Sequence, residues 1–275
     1  MKRRNHAGSH SSSLDCQVYG KELLQNASPF FDAWSDLHLE CLPNRDSIQY
    51  EKIYGIENAK TIFRGTLRYR GFSSLMNVFQ NVGMFDSFPS RESTWDELLN
   101  TLRMRRGGFE SLDDFILACA DDDKDVARRA MECLEWLEMT GTSPVPNTDS
   151  LLDLFCNILE AKLQYGPDER DMVVMHHAID AQFEDGRIEH HQSSLQAFGD
   201  PSMSAMCKTV GYTTAAATNV MLSGVLDGQT GLLLPTSKLI YKPILEAVEF
   251  EGIVFSETVT VHPLVHPALA DQRAV

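Results

Sequence analysis

Between Asn58 and Phe85 the sequence has no aspartate or glutamate, while Lys60, Arg64, Arg68 and Arg70 supply four positive charges. The chain as a whole runs the other way, with 24 Lys and Arg against 39 Asp and Glu, a net charge of −15. A guanidinium holds a carboxylate through two parallel N–H···O bonds, so several on one extended segment suit a ligand with several carboxylates. The same cations also suit pairing with acidic helices of the chain itself, and the residues alone leave both roles open. Arg45, in the turn-like segment LPNRDS, is a further candidate.

Two histidine pairs, His176–His177 and His190–His191, flank Glu184-Asp185-Gly186. Asp-Gly tolerates the positive φ of a two-residue type I′ turn, so a hairpin is expected here. Such a turn sets His176 opposite Leu195 and His191 opposite Asp180. His176 and His191 then share a face but lie about 13 Å apart along the strand. One ion with bonds of about 2 Å does not span that gap, so half-exposed strand histidines are expected and no metal site. The six cysteines (16, 41, 119, 133, 156 and 207) show no CxxC or CxxH spacing and read as buried free thiols of a reducing compartment. No two of the 17 glycines are spaced Gly-x-Gly, and neither Gly-Lys-Ser/Thr nor Gly-x-Ser-x-Gly occurs. The turn that cradles a dinucleotide pyrophosphate is therefore missing, as is a nucleophile elbow.

The elements that must position these groups fall into three zones. In residues 15–72 the clearest strand is KTIFRGTLRYRG, with Phe63, Leu67 and Tyr69 on one face and Arg64, Thr66, Arg68 and Arg70 on the other. Residues 73–165 read as helices: Thr94 to Glu97 is a capping box, Ser111 to Asp114 a second start, and Gly107-Gly108 a stop between them. Asp121 to Asp123 place negative charge at the start of the next helix. After Pro144 and Pro146 comes SLLDLFCNILEAKL, with Leu151, Leu154, Phe155, Ile158 and Leu159 on one face. This zone holds eight basic and seventeen acidic residues, so its charge runs are solvated helix faces. Residues 166–262 return to mixed structure: the hairpin, a small-residue helix whose Ala215, Ala216 and Ala217 suit close packing on a sheet, GLLLP as a short strand, KPILEAVEFEG as a helix, and IVFSETVTV as a last strand. The expected fold is α/β (α+β), a mixed-sheet domain formed by 15–72 and 166–262 with an all-helical insertion at 73–165 and disordered tails at 1–14 and 263–275.

Composition bounds the function class. With 43% hydrophobic and 23% charged residues the chain is ordinary globular protein, and no apolar run approaches the roughly 20 residues needed to cross a bilayer. The negative field disfavours nucleic acid. The basic, Ser-rich start lacks the apolar stretch of a secretory signal.

LPNRDS (42–47) and RGTLRYRGF (64–72), followed in order by LQYGPDERDMVVM, SAMCKTVG and GLLLPTSKLIYKPILEAVEFEGIVFSETV, resemble saccharopine dehydrogenase, including the C-terminal half of aminoadipic semialdehyde synthase, over about residues 20–260. The resemblance implies a nucleotide-binding domain, a saccharopine-binding α/β domain and a helical insertion. It implies oxidation of the secondary amine of saccharopine by hydride transfer to NADP or NAD, then hydrolysis of the imine to glutamate and 2-aminoadipate 6-semialdehyde, with the reverse direction serving lysine synthesis. It implies substrate contacts from Arg45, Thr66, Leu67 and Arg68. Thr66 and Arg68 share the polar strand face, so Leu67 would contribute through its backbone. Against the family pattern the sequence begins inside the substrate domain, so the cofactor site and any acid or base that it brings are expected elsewhere, and this chain alone is expected to be inactive. The partners implied are saccharopine and either a second copy or a separate nucleotide-binding domain, with no nucleic acid and no membrane. The location expected is cytoplasmic, with mitochondrial as the alternative. A non-catalytic paralogue binding an acidic ligand or a partner subunit is the rival reading.

Overall fold

The computed structural model describes residues 2–4, 15–17, 20–44 and 46–262. The chain divides into two compact units, Met1–Gln164 and Tyr165–Val275. This grouping places residues 20–72 with the helices, whereas the sequence reading joins 15–72 to 166–262.

In the first unit β1 (Lys2–Arg4), within the segment expected as a tail, pairs antiparallel with β2 (Asp15–Gln17). Residues 5–14, the rest of that segment's interior, and the expected tail at 263–275 lie outside the described residues. A second sheet runs β3 (Ser28–Pro29), β4 (Leu39–Pro43), β5 (Gly65–Tyr69), all antiparallel. Between β4 and β5 lies a short helix, α1 (Tyr50–Tyr54), closed by Gly55 at φ +66°. Five helices follow: α2 (Phe72–Val82), α3 (Trp95–Arg105), α4 (Leu112–Cys119), α5 (Lys124–Trp136) and α6 (Leu151–Lys162). The starts of α3 to α6 are those the sequence marks. Thr94 and Glu97 close a capping box, Ser111 and Ser150 accept from the amides of Asp114 and Asp153, and Asp123 accepts from those of Asp125 and Val126. Each cap satisfies donors that the first turn leaves bare. The helices bury one continuous core, with Phe79, Phe115, Phe155, Leu98 and Leu134 almost wholly enclosed. The rings of Phe79 and Phe155 meet in a tilted pair at 5.1 Å.

The second unit is built on a long hairpin, β6 (Met172–Gln182) and β7 (Ile188–Phe198). β8 (Ser256–His262) pairs antiparallel beside β7. Among the described residues every ladder is antiparallel, so the strands of the α/β fold form small antiparallel sheets. α7 (Ala205–Leu222) packs against β6 and β7, and also against α8 (Lys238–Phe250), which carries Pro243 inside it. Of the three alanines expected against a sheet, Ala216 is buried and Ala215 is exposed, because only one side of α7 is covered. GLLLP is not a strand: it meets no partner strand among the described residues, Leu232 is 91% exposed, and Pro235 has no N–H to offer a ladder.

α7 is fastened to the hairpin by a carboxylate. Asp171, just ahead of β6, accepts the amides of Ala205 (2.6 Å) and Met206 (2.9 Å), while Ser204 accepts that of Cys207. Partial desolvation pushes the Asp171 carboxyl up, but those amide hydrogen bonds outweigh it and hold it below its ordinary value of 3.8. Asp200 is lowered too, first by the Lys208 ammonium and then by Ser202. A group with a depressed folded pKa contributes stability above its unfolded value and loses it as pH falls through the folded one. The melting temperature of the second unit is therefore expected to fall as pH drops from about 5 to about 2. Asp171→Asn should flatten that dependence, and an unchanged slope by circular dichroism would remove Asp171 from the account.

Candidate functional site

The candidate site is built on β4 and β5. Gly65 opens β5 where the chain passes close to Cys41, since a Cβ there would run into the Cys41 sulfur and crowd the Leu42 carbonyl. The register sets Thr66 opposite Leu42, Leu67 opposite Cys41, and Arg68 opposite Glu40. Alternation then puts Thr66 and Arg68 on one face and the half-buried Leu67 on the other, so Leu67 has only its backbone to offer on the Arg68 side.

Lys60, Arg64, Arg68 and Arg70 are all exposed, and among the described residues no carboxylate forms an ion pair with any of them. Internal neutralisation, the second role left open by the sequence, is therefore not what the geometry supports. Arg64 donates to the Tyr50 hydroxyl at 3.2 Å. Arg68 donates to the Leu67 carbonyl at 2.9 Å and sits 5.6 Å from the centre of the Phe72 ring, contacts that orient the guanidinium without cancelling its charge.

Glu40 explains why Arg68 keeps its charge. It faces Arg68 across the ladder and is 8% exposed, yet its oxygens accept the amides of Gly71 (2.9 Å) and Ser73 (2.7 Å). Those donors belong to the start of α2, where bare N–H groups and the helix dipole favour an anion. The same contact bears on the cofactor. At β5–Gly71–α2 a strand turns directly into a helix, with Gly71 at φ +95°, which is the local geometry that a nucleotide phosphate uses. Here a side-chain carboxylate already takes those amides, and no Gly-x-Gly precedes them. The residues present do not fit a dinucleotide at that turn.

Thr66 is positioned by a residue that the sequence reading passed over. Asn44 donates its side-chain amide to Thr66 Oγ1 at 2.7 Å, and its own N–H to the Arg64 carbonyl at 2.9 Å. With one lone pair of its oxygen so engaged, the Thr66 hydroxyl still has its proton to donate. Asn44 sits in LPNRDS next to Arg45, so the proximity of that segment to β5 is direct, although Arg45 itself lies outside the described residues. Glu40 carried a fainter signal, a lone acid within the apolar strand LECLP.

The histidine hairpin is offset by one residue from the expected register. Its loop has three residues, 184–186, closed by the Phe183 and Arg187 backbones, with Gly186 at φ +83°. A three-residue loop ending in a left-handed glycine satisfies the same Asp-Gly signal as the two-residue turn. His176 therefore faces Ser194, not Leu195, and His191 faces Ile179, not Asp180. The two histidines consequently lie on opposite faces of the sheet. His176 Nδ1 lies 2.9 Å from Ser194 Oγ, His190 Nδ1 2.5 Å from Asp180, and His191 Nε2 2.9 Å from Glu189. The cysteines divide as well: Cys119 is buried, which pushes its thiol up to about 11, whereas Cys156 and Cys207 are exposed.

Residues 10–253 match the model of the saccharopine dehydrogenase C-terminal domain. The mitochondrial alpha-aminoadipic semialdehyde synthase of Mus musculus is 38% identical over 252 residues, covering 88% of this chain and 27% of that protein. The saccharopine dehydrogenase [NADP(+), L-glutamate-forming] of Schizosaccharomyces pombe is 31% identical over 268 residues, 93% of this chain and 59% of that one. Apo histidine-tagged saccharopine dehydrogenase (L-Glu forming) from Saccharomyces cerevisiae superposes with a TM-score of 0.74 at 32% identity, over 86% of this chain and 55% of that chain. This chain thus spans only part of the length of each of these proteins. A family match across most of its residues, joined to a solved fold at that identity, means that the chain belongs to the saccharopine dehydrogenase C-terminal domain family.

Proposed function

We propose that this chain supplies the saccharopine-binding surface of an NADP-linked saccharopine dehydrogenase, with the nucleotide held by residues other than those of the β5–α2 turn. Arg45 and Arg68 clamp carboxylates of the substrate, Thr66 donates a hydrogen bond, and Leu67 contributes its backbone. The observation that carries this reading is the exposed, carboxylate-free guanidinium of Arg68 on the same strand face as Thr66. Saccharopine has three carboxylates, which is the ligand chemistry that a row of guanidiniums selects. The nicotinamide would accept the hydride, while the residues of this chain bind and orient the amine that gives it up. Among the described residues no helix is long and apolar enough to cross a membrane, and the mammalian relatives are described as mitochondrial, which supports that alternative location.

The test combines calorimetry with a complementation assay. The chain should bind saccharopine by itself, and should give saccharopine-dependent reduction of NADP+ once the nucleotide-binding half of the fission-yeast relative is added or fused. Saccharopine binding that never yields turnover would favour a non-catalytic paralogue. No saccharopine binding at all would overturn the proposal.

A further inference from the structure

The four cations around β5 differ in how they are held. The β4–β5 ladder continues one pair beyond Gly65, because Asn44 donates its N–H to the Arg64 carbonyl at 2.9 Å beside the Pro43–Gly65 pair. Arg64 therefore keeps the alternation and stands on the face of Thr66 and Arg68. The Asn44 side chain marks the same face, since from its place opposite Arg64 it reaches Thr66 Oγ1 at 2.7 Å. Arg64 is fixed by the Tyr50 hydroxyl, and Arg68 by the Leu67 carbonyl and the Phe72 ring. Tyr50 is steadied in turn by Tyr54, whose ring stacks on it with centroids 5.6 Å apart. Lys60 and Arg70 have no such side-chain contact among the described residues. A cation oriented beforehand loses less entropy when it takes a ligand, which singles out Arg64 and Arg68 from the four.

The bond to Tyr50 occupies one N–H of a guanidinium that has several, and a neutral phenol does not cancel its charge. Along the strand the row reads cation, hydroxyl, cation, with the α-carbons of Arg64 and Arg68 about 13 Å apart at ~3.3 Å per residue. An elongated anion with carboxylates at both ends spans such a row. Saccharopine is one, with one carboxylate at its lysyl end and two on its glutamyl part. The substrate reading above gives partners, Arg45 and Arg68, to two of these groups and leaves the third without one. Resting on that reading, we infer that Arg64 binds the third carboxylate of saccharopine, at the end of the row away from Arg68, with Tyr50 as its positioning residue.

The experiment titrates the full chain calorimetrically with saccharopine and with three analogues, each having a different carboxylate replaced by a primary carboxamide. Arg64→Ala should weaken saccharopine binding at least tenfold, as loss of a charge-assisted pair does. One of the three amides should bind Arg64→Ala and wild type equally, because the carboxylate it lacks is the one that Arg64 holds. Arg68→Ala should be silent toward a different amide. Tyr50→Phe should weaken saccharopine binding roughly threefold and be silent toward the same amide as Arg64→Ala. Undiminished saccharopine binding by Arg64→Ala, beside a loss in Arg68→Ala, would overturn the inference and leave the substrate reading standing. Equal losses toward all three amides, the pattern that misfolding of the variant also produces, would overturn it as well. No saccharopine binding by the wild-type chain would remove both readings together.

Discussion

Arg68→Ala, made in the complete enzyme, is expected to raise the Michaelis constant for saccharopine at least tenfold with little change in thermal stability. A charge-assisted hydrogen bond contributes about 1.5–3 kcal/mol, and a tenfold change corresponds to about 1.4 kcal/mol, so loss of even one arm of a two-armed clamp suffices. Stability should barely move because the side chain is exposed and its contacts are a neighbouring carbonyl and a ring 5.6 Å away. Arg68→Lys separates charge from geometry: lysine keeps the cation but not the planar fork, and should fall between wild type and alanine. A Michaelis constant that stays put in Arg68→Ala would strip this residue of its role and leave the substrate assignment resting on family membership.

The second large effect belongs to the residue facing it. Glu40→Ala should cost about 3 kcal/mol, because two amides at the start of α2 lose a charged acceptor in a place where water does not readily replace it. For a unit of this size that is a fall of roughly 6–12 °C in melting temperature. The two variants test each other. If Glu40 served mainly to neutralise Arg68, removing either would relieve or unbalance the other, and a double-mutant cycle would show strong coupling. With Glu40 committed to the helix, as the distances place it, the stability effects should add, and only Arg68→Ala should alter saccharopine affinity directly. Urea unfolding of the single and double variants decides between the two.

The helical block was legible because its signals are local. Thr94, Ser111, Asp123 and Ser150 each lie within three residues of the amides they cap, and the apolar spacing of Leu151, Leu154 and Phe155 is fixed by the helical repeat itself. On β5, alternation alone placed Thr66 with Arg68 and turned Leu67 away. Where two local solutions share one signal the reading slipped: Asp185-Gly186 fits both a two-residue and a three-residue loop, and a shift of one residue moved His191 from Asp180 to Ile179. GLLLP failed for a different reason, since an apolar run becomes a strand only when a neighbour supplies the ladder. The commitment of Glu40 lay beyond local reading altogether, because its partners are 31 and 33 residues away.

Both units use one carboxylate from the sheet side of the fold to complete the first turn of a distant helix, Glu40 for α2 and Asp171 for α7. This decides where the polypeptide can be dissected. A cut between residues 40 and 71, or between 171 and 205, would separate an acid from the only protein donors these contacts provide for it and leave a helix fraying from its first turn. The smallest autonomous pieces must therefore carry strand and helix together.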